Sequence, residues 1–259
     1  MIRRRQGYAV TRVATCKVTG ACPAVALCEG GKTLPLSDRS EGALTNLRSF
    51  EIASIDKKLK LEIKMKNVLL LGDSIRLGYC AFVRKELENT AQVFYPEENC
   101  QFTQYTLVAL PRWLNATGIP KEEIDLVHWN NGHWDAAHFN QEDVSLNSPE
   151  LYGVMLGRIC RKLRTLCPNA KIIFALTTPV HPENIPMANP RSNSEIEKYN
   201  AVAAEVMEKF DIKINDLYSL AKTNIPSSLY ADYCHFKEEG YQILGRQVIR
   251  MIRENLNNN

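Results

Sequence analysis

From residue 65 onward, short unbroken apolar runs alternate with longer stretches whose apolar residues return every three or four positions. The first pattern belongs to strands covered on both faces, the second to helices with one apolar side. In chain order they predict strands over 67–71, 92–95, 125–129, 171–177 and 212–214. Helices are predicted over 78–89, 104–114, 149–166, 194–210 and 237–256. Ser148 and Pro149 fit the cap and first turn of the third helix, and Asp216 reads as a helix cap after the fifth strand. Such alternation builds a parallel sheet with helices on both sides, so the expected class is α/β, a three-layer α/β/α sandwich.

Residues 1–64 show no sustained period and carry Gly30-Gly31, Pro35 and scattered charges. The catalytic domain is therefore expected over 65–259, with 1–64 an N-terminal extension. Met65 stands directly before the first strand, which points to a natural start there and an upstream segment that is not native. A native but disordered tail is the alternative reading.

Composition narrows the class further. With 259 residues, 45% hydrophobic and 24% charged, the chain can bury one sizeable core. The net charge of +3 hides an asymmetry: Lys and Arg outnumber Asp and Glu by 12 to 6 in residues 1–64 and are outnumbered 20 to 23 thereafter. The expected domain is thus slightly acidic and has no basic stripe interleaved with aromatics, so nucleic acid is not an expected partner. No apolar run reaches the length of a membrane span, and no membrane partner is expected. Lys17 and neighbouring polar residues interrupt any signal-peptide core near the start. Cys16, Cys22, Cys28, Cys80, Cys100, Cys160, Cys167 and Cys234 form no C-x-x-C pair and read as reduced thiols, which suits a cytoplasmic location. Neither a metal nor a cofactor is expected.

In an open parallel sheet, ligands gather beyond the carboxyl ends of the strands. Gly72-Asp73-Ser74 follows the first predicted strand, where a serine hydroxyl can stand at the sheet rim. Asp232-Tyr233-Cys234-His235 precedes the last predicted helix. There, a histidine can act as general base and a carboxylate three residues earlier can fix its tautomer. Taken singly, either motif is equally a turn or cap. Together, in this order, they resemble the first and last conserved blocks of the SGNH (GDSL-like) hydrolase family, and DYCHFKEEGYQILGRQVI is similar to that family's ending.

The resemblance spans Met65 to the C-terminus. It implies a flavodoxin-like parallel sheet and a catalytic triad of Ser74, His235 and Asp232. It also implies an oxyanion hole built from the Ser74 N–H, the Asn130 side chain and the backbone N–H of Gln104. Gln104 stands where the family commonly has Gly, with Cys100 and Thr103 as alternatives under a shifted register and a capping Thr103 as the bland reading. Asn130 lies in His128-Trp129-Asn130-Asn131, where His128 replaces a usual Gly; Asn131 is its fallback, and an Asn-Gly turn is the alternative role. Asp73, Asn131, Trp129 and Trp134 are candidate substrate contacts, with ordinary packing as the alternative for the tryptophans. His138 and His181 read as loop histidines, and loop 181–193 as one wall of the pocket. The implied activity is a serine esterase acting on small O-acyl, acetyl-type esters, with a small-molecule ester or acylated sugar as partner. An O-acyltransferase with the same triad and a non-catalytic carbohydrate-binding module are the competing readings.

Overall fold

The computed structural model describes residues 65–183 and 185–257. The expectations for residues 1–64, including Cys16, Cys22 and Cys28, lie outside the described residues. Among the described residues, five strands run β1 Lys66–Leu71, β2 Ala91–Phe94, β3 Leu126–Trp129, β4 Lys171–Ala175 and β5 Lys213–Asn215. The α-helices among the same residues are α1 Ser74–Leu87, α2 Thr103–Ala116, α3 Pro149–Leu166 and α4 Asn193–Lys209, one after each of the first four strands, then α5 Leu217–Asn224 and α6 Glu238–Asn257 after the fifth. All strand pairs are parallel, in the order β2-β1-β3-β4-β5. That is the flavodoxin-like order, in which the winding reverses between β1 and β3 and opens a crevice there.

Side-chain parity along the strands divides the core into two layers. Leu69, Leu71, Val127, Trp129 and Phe174 pack with Leu110, Trp113, Leu156, Ile159, Tyr199 and Ala203 from α2, α3 and α4. Val68, Leu70, Leu126 and Ile173 pack with Tyr79, Val83, Leu217, Leu244, Val248 and Ile252 from α1, α5 and α6. Helices α1 and α6 meet closely: a Cβ at Gly78 would stand 2.1 Å from the Tyr241 ring, and one at Gly245 would stand 2.6 Å from Phe82.

Two expected boundaries and one unexpected element need correction. Helix α1 begins at Ser74, not near residue 78, because Asp73 caps it, its Oδ1 accepting the Ile75 N–H at 3.0 Å. Residues 176–177 leave the fourth strand, since the Thr177 N–H turns to the Asn200 side chain. Helix α5 was not expected as an element, although its cap Asp216 was; the Asp216 carboxylate accepts the Ser219 N–H at 2.8 Å. Among the described residues, no helix is long and apolar enough to cross a membrane.

Candidate active site

Ser74 is the first residue of α1, where a backbone N–H has no intrahelical carbonyl to bond. Its Oγ lies 2.8 Å from His235 Nε2, although 161 residues separate the two in sequence. His235 Nδ1 lies 2.7 Å from Asp232 Oδ2, and Asp232 Oδ1 accepts the backbone N–H groups of Cys234 and His235, each at 2.8 Å. Partial burial alone would raise the Asp232 carboxyl. The N–H bonds from Cys234 and His235 outweigh it and hold the pKa below the usual carboxylate value. An ionised Asp232 fixes the proton of His235 on Nδ1 and leaves Nε2 to accept the Ser74 proton.

Gly72 makes this junction possible. Its φ of +153° disfavours a side chain, and a Cβ there would lie 1.9 Å from Asn130 Oδ1 and 2.8 Å from the Arg76 Cβ. Asn130 therefore packs directly on Gly72 at the β1–β3 crevice, 4% exposed, its Oδ1 without a hydrogen-bond partner among the described residues. Asp73 is fully buried; burial raises its pKa against the opposing pull of the Asn130 side chain, the Ile75 N–H and the charges of Arg191 and Arg76.

The cleft over Ser74 holds about 180 Å3 and is lined by Ser74, Asn99, Trp134, Ala137, Phe139, Asn189, Arg191, Tyr233 and His235. Trp134 thus stands where a substrate contact was expected, its ring tilted against Phe139. Loop 181–193 contributes Asn189 and Arg191 to the wall.

Several other expectations fail. Trp129 is wholly buried, edge-on to Phe174, and its indole N–H bonds Asn131 Oδ1 at 2.7 Å, so it meets no substrate. Asn131 is equally buried and fully spent, its amide donating to the Gln101 carbonyl and Thr106 Oγ1. Asp73 is a helix cap shielded from the cleft rather than a substrate contact. The Gln104 side chain exchanges hydrogen bonds with Asn147 and takes no part in lining the cavity, where Asn99 stands for that segment; the Gln104 backbone N–H, the donor that was expected, lies in the first turn of α2. Cys100 is buried, and Thr103 is the first residue of α2, not its cap; its N–H and hydroxyl both bond Asp135.

Sequence reasoning missed a layer of polar groups packed against the triad. Arg191 reaches His133 Nδ1, the Asn189 carbonyl and Cys234 Sγ, and its guanidinium carbon stands 5.3 Å from the centre of the Tyr233 ring. His133 in turn bonds Thr178. Arg76, fully buried next to Ile75, ties the carbonyls of Pro96, Glu98 and Gly72 together. Arg191 lies in loop 181–193, which carries three prolines, but that position alone gave it no role. His138 bonds Glu195, and the His181 ring packs on Tyr230.

The ligand atoms of Asp232, Cys234 and His235 lie within 4.8 Å of one another. They make a poor metal set. Burial pushes the Cys234 thiol up to about 12, whereas a metal takes the thiolate, and both His235 nitrogens already face Ser74 and Asp232.

Residues 70–243 match the GDSL-like Lipase/Acylhydrolase family. No curated protein matches the sequence. Among solved structures, the lipase/acylhydrolase from Enterococcus faecalis is similar, at 20% identity and a TM-score of 0.58, over 73% of this chain and 96% of that one. The acetyl xylan esterase AlAXEase has 15% identity and a TM-score of 0.57, over 72% and 99% of the two chains. Axe2, an acetylxylan esterase from Geobacillus stearothermophilus, has 19% identity and a TM-score of 0.55, over 72% and 94%. At these identities the solved structures speak for the fold, while the sequence match covers most of the chain and includes both ends of the crevice. The chain belongs to the GDSL-like lipase/acylhydrolase family of SGNH-type, ester-hydrolysing enzymes.

Proposed function

We propose that this protein is a serine esterase that removes small O-acyl groups of the acetyl type, including those carried on carbohydrate. The single observation that carries the reading is the continuous chain Asp232–His235–Ser74, with its 2.7 and 2.8 Å contacts, at the carboxyl edge of the sheet. Ser74 Oγ attacks the ester carbonyl as its proton passes to His235 Nε2. The carbonyl electron pair moves onto oxygen, which takes hydrogen bonds from the Ser74 N–H and the Asn130 side-chain amide at the positive end of α1. Collapse breaks the ester C–O bond, and His235 returns the proton to the leaving alcohol. Water, deprotonated by His235, then releases the acid from Ser74.

The small volume of the cleft, below the usual range for drug-sized ligands, favours a short acyl group. Trp134, Phe139 and Tyr233 offer apolar faces on which a sugar ring can lie. Two relatives named as acetylxylan esterases support the same substrate class. The five cysteines among the described residues are buried and unpaired, which suits a reducing compartment, so the proposed location is the cytoplasm. The test is a panel of para-nitrophenyl esters of increasing chain length and acetylated sugars, run on the wild type and Ser74→Ala. The expected result is a preference for short chains and a loss of at least about a thousandfold in the variant. Unchanged turnover in Ser74→Ala would reject the assignment.

A further inference from the structure

Arg191 is 8% exposed, yet it lines the same cleft as Ser74, His235 and Trp134. The start of α4 fixes its place. Ser192 caps that helix in a reciprocal capping box with Glu195, so the backbone leaving Arg191 has little freedom.

The partners of its guanidinium are all uncharged. Nε donates to His133 Nδ1 at 3.2 Å, one Nη to the Asn189 carbonyl at 3.2 Å, and the other to Cys234 Sγ at 3.4 Å. Burial, then the charges of Arg191 and His235, keep His133 neutral, and burial keeps Cys234 a thiol. Among the described residues no carboxylate lies within 4.0 Å of Arg191. Glu195, which shares the adjoining cavity with Arg191, is committed to His138 and the Ser192 cap. The charge reaches Asp73 only as a field through the protein.

A buried cation without a hydrogen-bonded counter-ion is costly, and a strut between a thiol and an imidazole has no need of a full charge. A guanidinium also carries five N–H groups; His133, Asn189 and Cys234 take three, the Tyr233 side chain is a further partner, and a planar fork with a donor remaining matches a carboxylate. We propose that Arg191 is the anion-recognising residue of this site, and that the ester carries a carboxylate, in its acyl or its alcohol part, close to the bond that Ser74 attacks. This rests on the acyl-serine reading above and narrows it to anionic esters.

Two pairs of size-matched esters test it on the full-length protein at neutral pH. Para-nitrophenyl hydrogen succinate against para-nitrophenyl butyrate probes the acyl side, and para-acetoxybenzoate against para-acetoxybenzamide probes the alcohol side. The expected result is a kcat/KM at least about tenfold higher for the anionic member of one pair, expressed mainly in KM. Arg191→Met should bring that ratio down to about one or below, and Arg191→Lys should keep part of it, whatever loss both substrates share. A strut role would lower both members of a pair together and leave the ratio alone. Neutral esters hydrolysed with no anionic preference in either pair, or a preference that survives in Arg191→Met, would overturn the assignment of Arg191. The wild-type ratios and Arg191→Lys decide the matter if Arg191→Met does not fold. No turnover of any ester, together with a Ser74 that a neutral fluorophosphonate does not label, would instead reject the acyl-serine reading and the proposal with it.

Discussion

Gly72 illustrates how a single residue type holds the site together. Its backbone carbonyl accepts the Cys100 N–H at 3.0 Å and an Arg76 donor at 3.2 Å, while the space its side chain would fill belongs to Asn130. A methyl group there meets both a disfavoured φ and an oxygen at 1.9 Å. Gly72→Ala is therefore expected to cost about 3 kcal/mol or more, since strain and overpacking add. Urea unfolding measures this, and a loss below about 1 kcal/mol would show that the crevice relaxes easily. At this scale the triad was legible through resemblance: the motifs holding Ser74 and Asp232–His235 are singly turns or caps, and only their combination, similar to a known family, pointed to these residues, while Ser74 and His235 are 161 residues apart. Trp129 was misread although the signal was present. It is the last residue of a strand covered on both faces, and such a residue is buried whatever its type. Arg191 left no signal, because a loop has no periodicity and its partners His133 and Cys234 are distant in sequence.

The start of α2 is joined to the loop after β3 by one carboxylate. Asp135 Oδ1 accepts the Thr103 N–H, the Thr103 hydroxyl and the Asn147 amide, an anion at a helix N-terminus. Burial nevertheless dominates and raises its pKa from 3.8 to about 6. The native state then binds the Asp135 proton more tightly than the unfolded chain does. Stability from this group therefore falls as pH rises from about 4 to about 6 and is level above that. Asp135→Asn keeps an acceptor for Thr103 and removes the titration. Between about pH 4 and pH 7, the unfolding free energy of the variant relative to wild type should gain on the order of 2 kcal/mol. An equal gap at both pH values would contradict the assignment. Helix and strand centres were readable from apolar period alone. Their ends depend on caps such as Asp73 and on bonds such as Asn200 to Thr177, which arise only when distant segments meet. Helix α5, at eight residues, is too short for its period to stand out beyond its cap.

For the whole molecule, the strand order 2-1-3-4-5 followed from parallel alternation and from the family resemblance together, because periodicity does not say which strands are neighbours. Among the described residues, the two core layers around the sheet draw on Val68 and later positions. We therefore predict that a chain beginning at Met65 folds cooperatively and keeps its esterase turnover within about threefold of the full-length protein; circular dichroism and ester assays check both. Loss of cooperative unfolding in that chain would show that the upstream residues belong to the domain.

The contact of Gly78 with Tyr241 and of Gly245 with Phe82 has a kinetic meaning. The nucleophile opens α1, the base stands just before α6, and these glycines make room for the Tyr241 and Phe82 rings, each seated on the backbone of the facing helix. Opening that seam separates Ser74 from His235 while the sheet remains intact. Heat inactivation should thus run ahead of the loss of helical signal, making turnover a sensitive gauge of how firmly the last helix is docked.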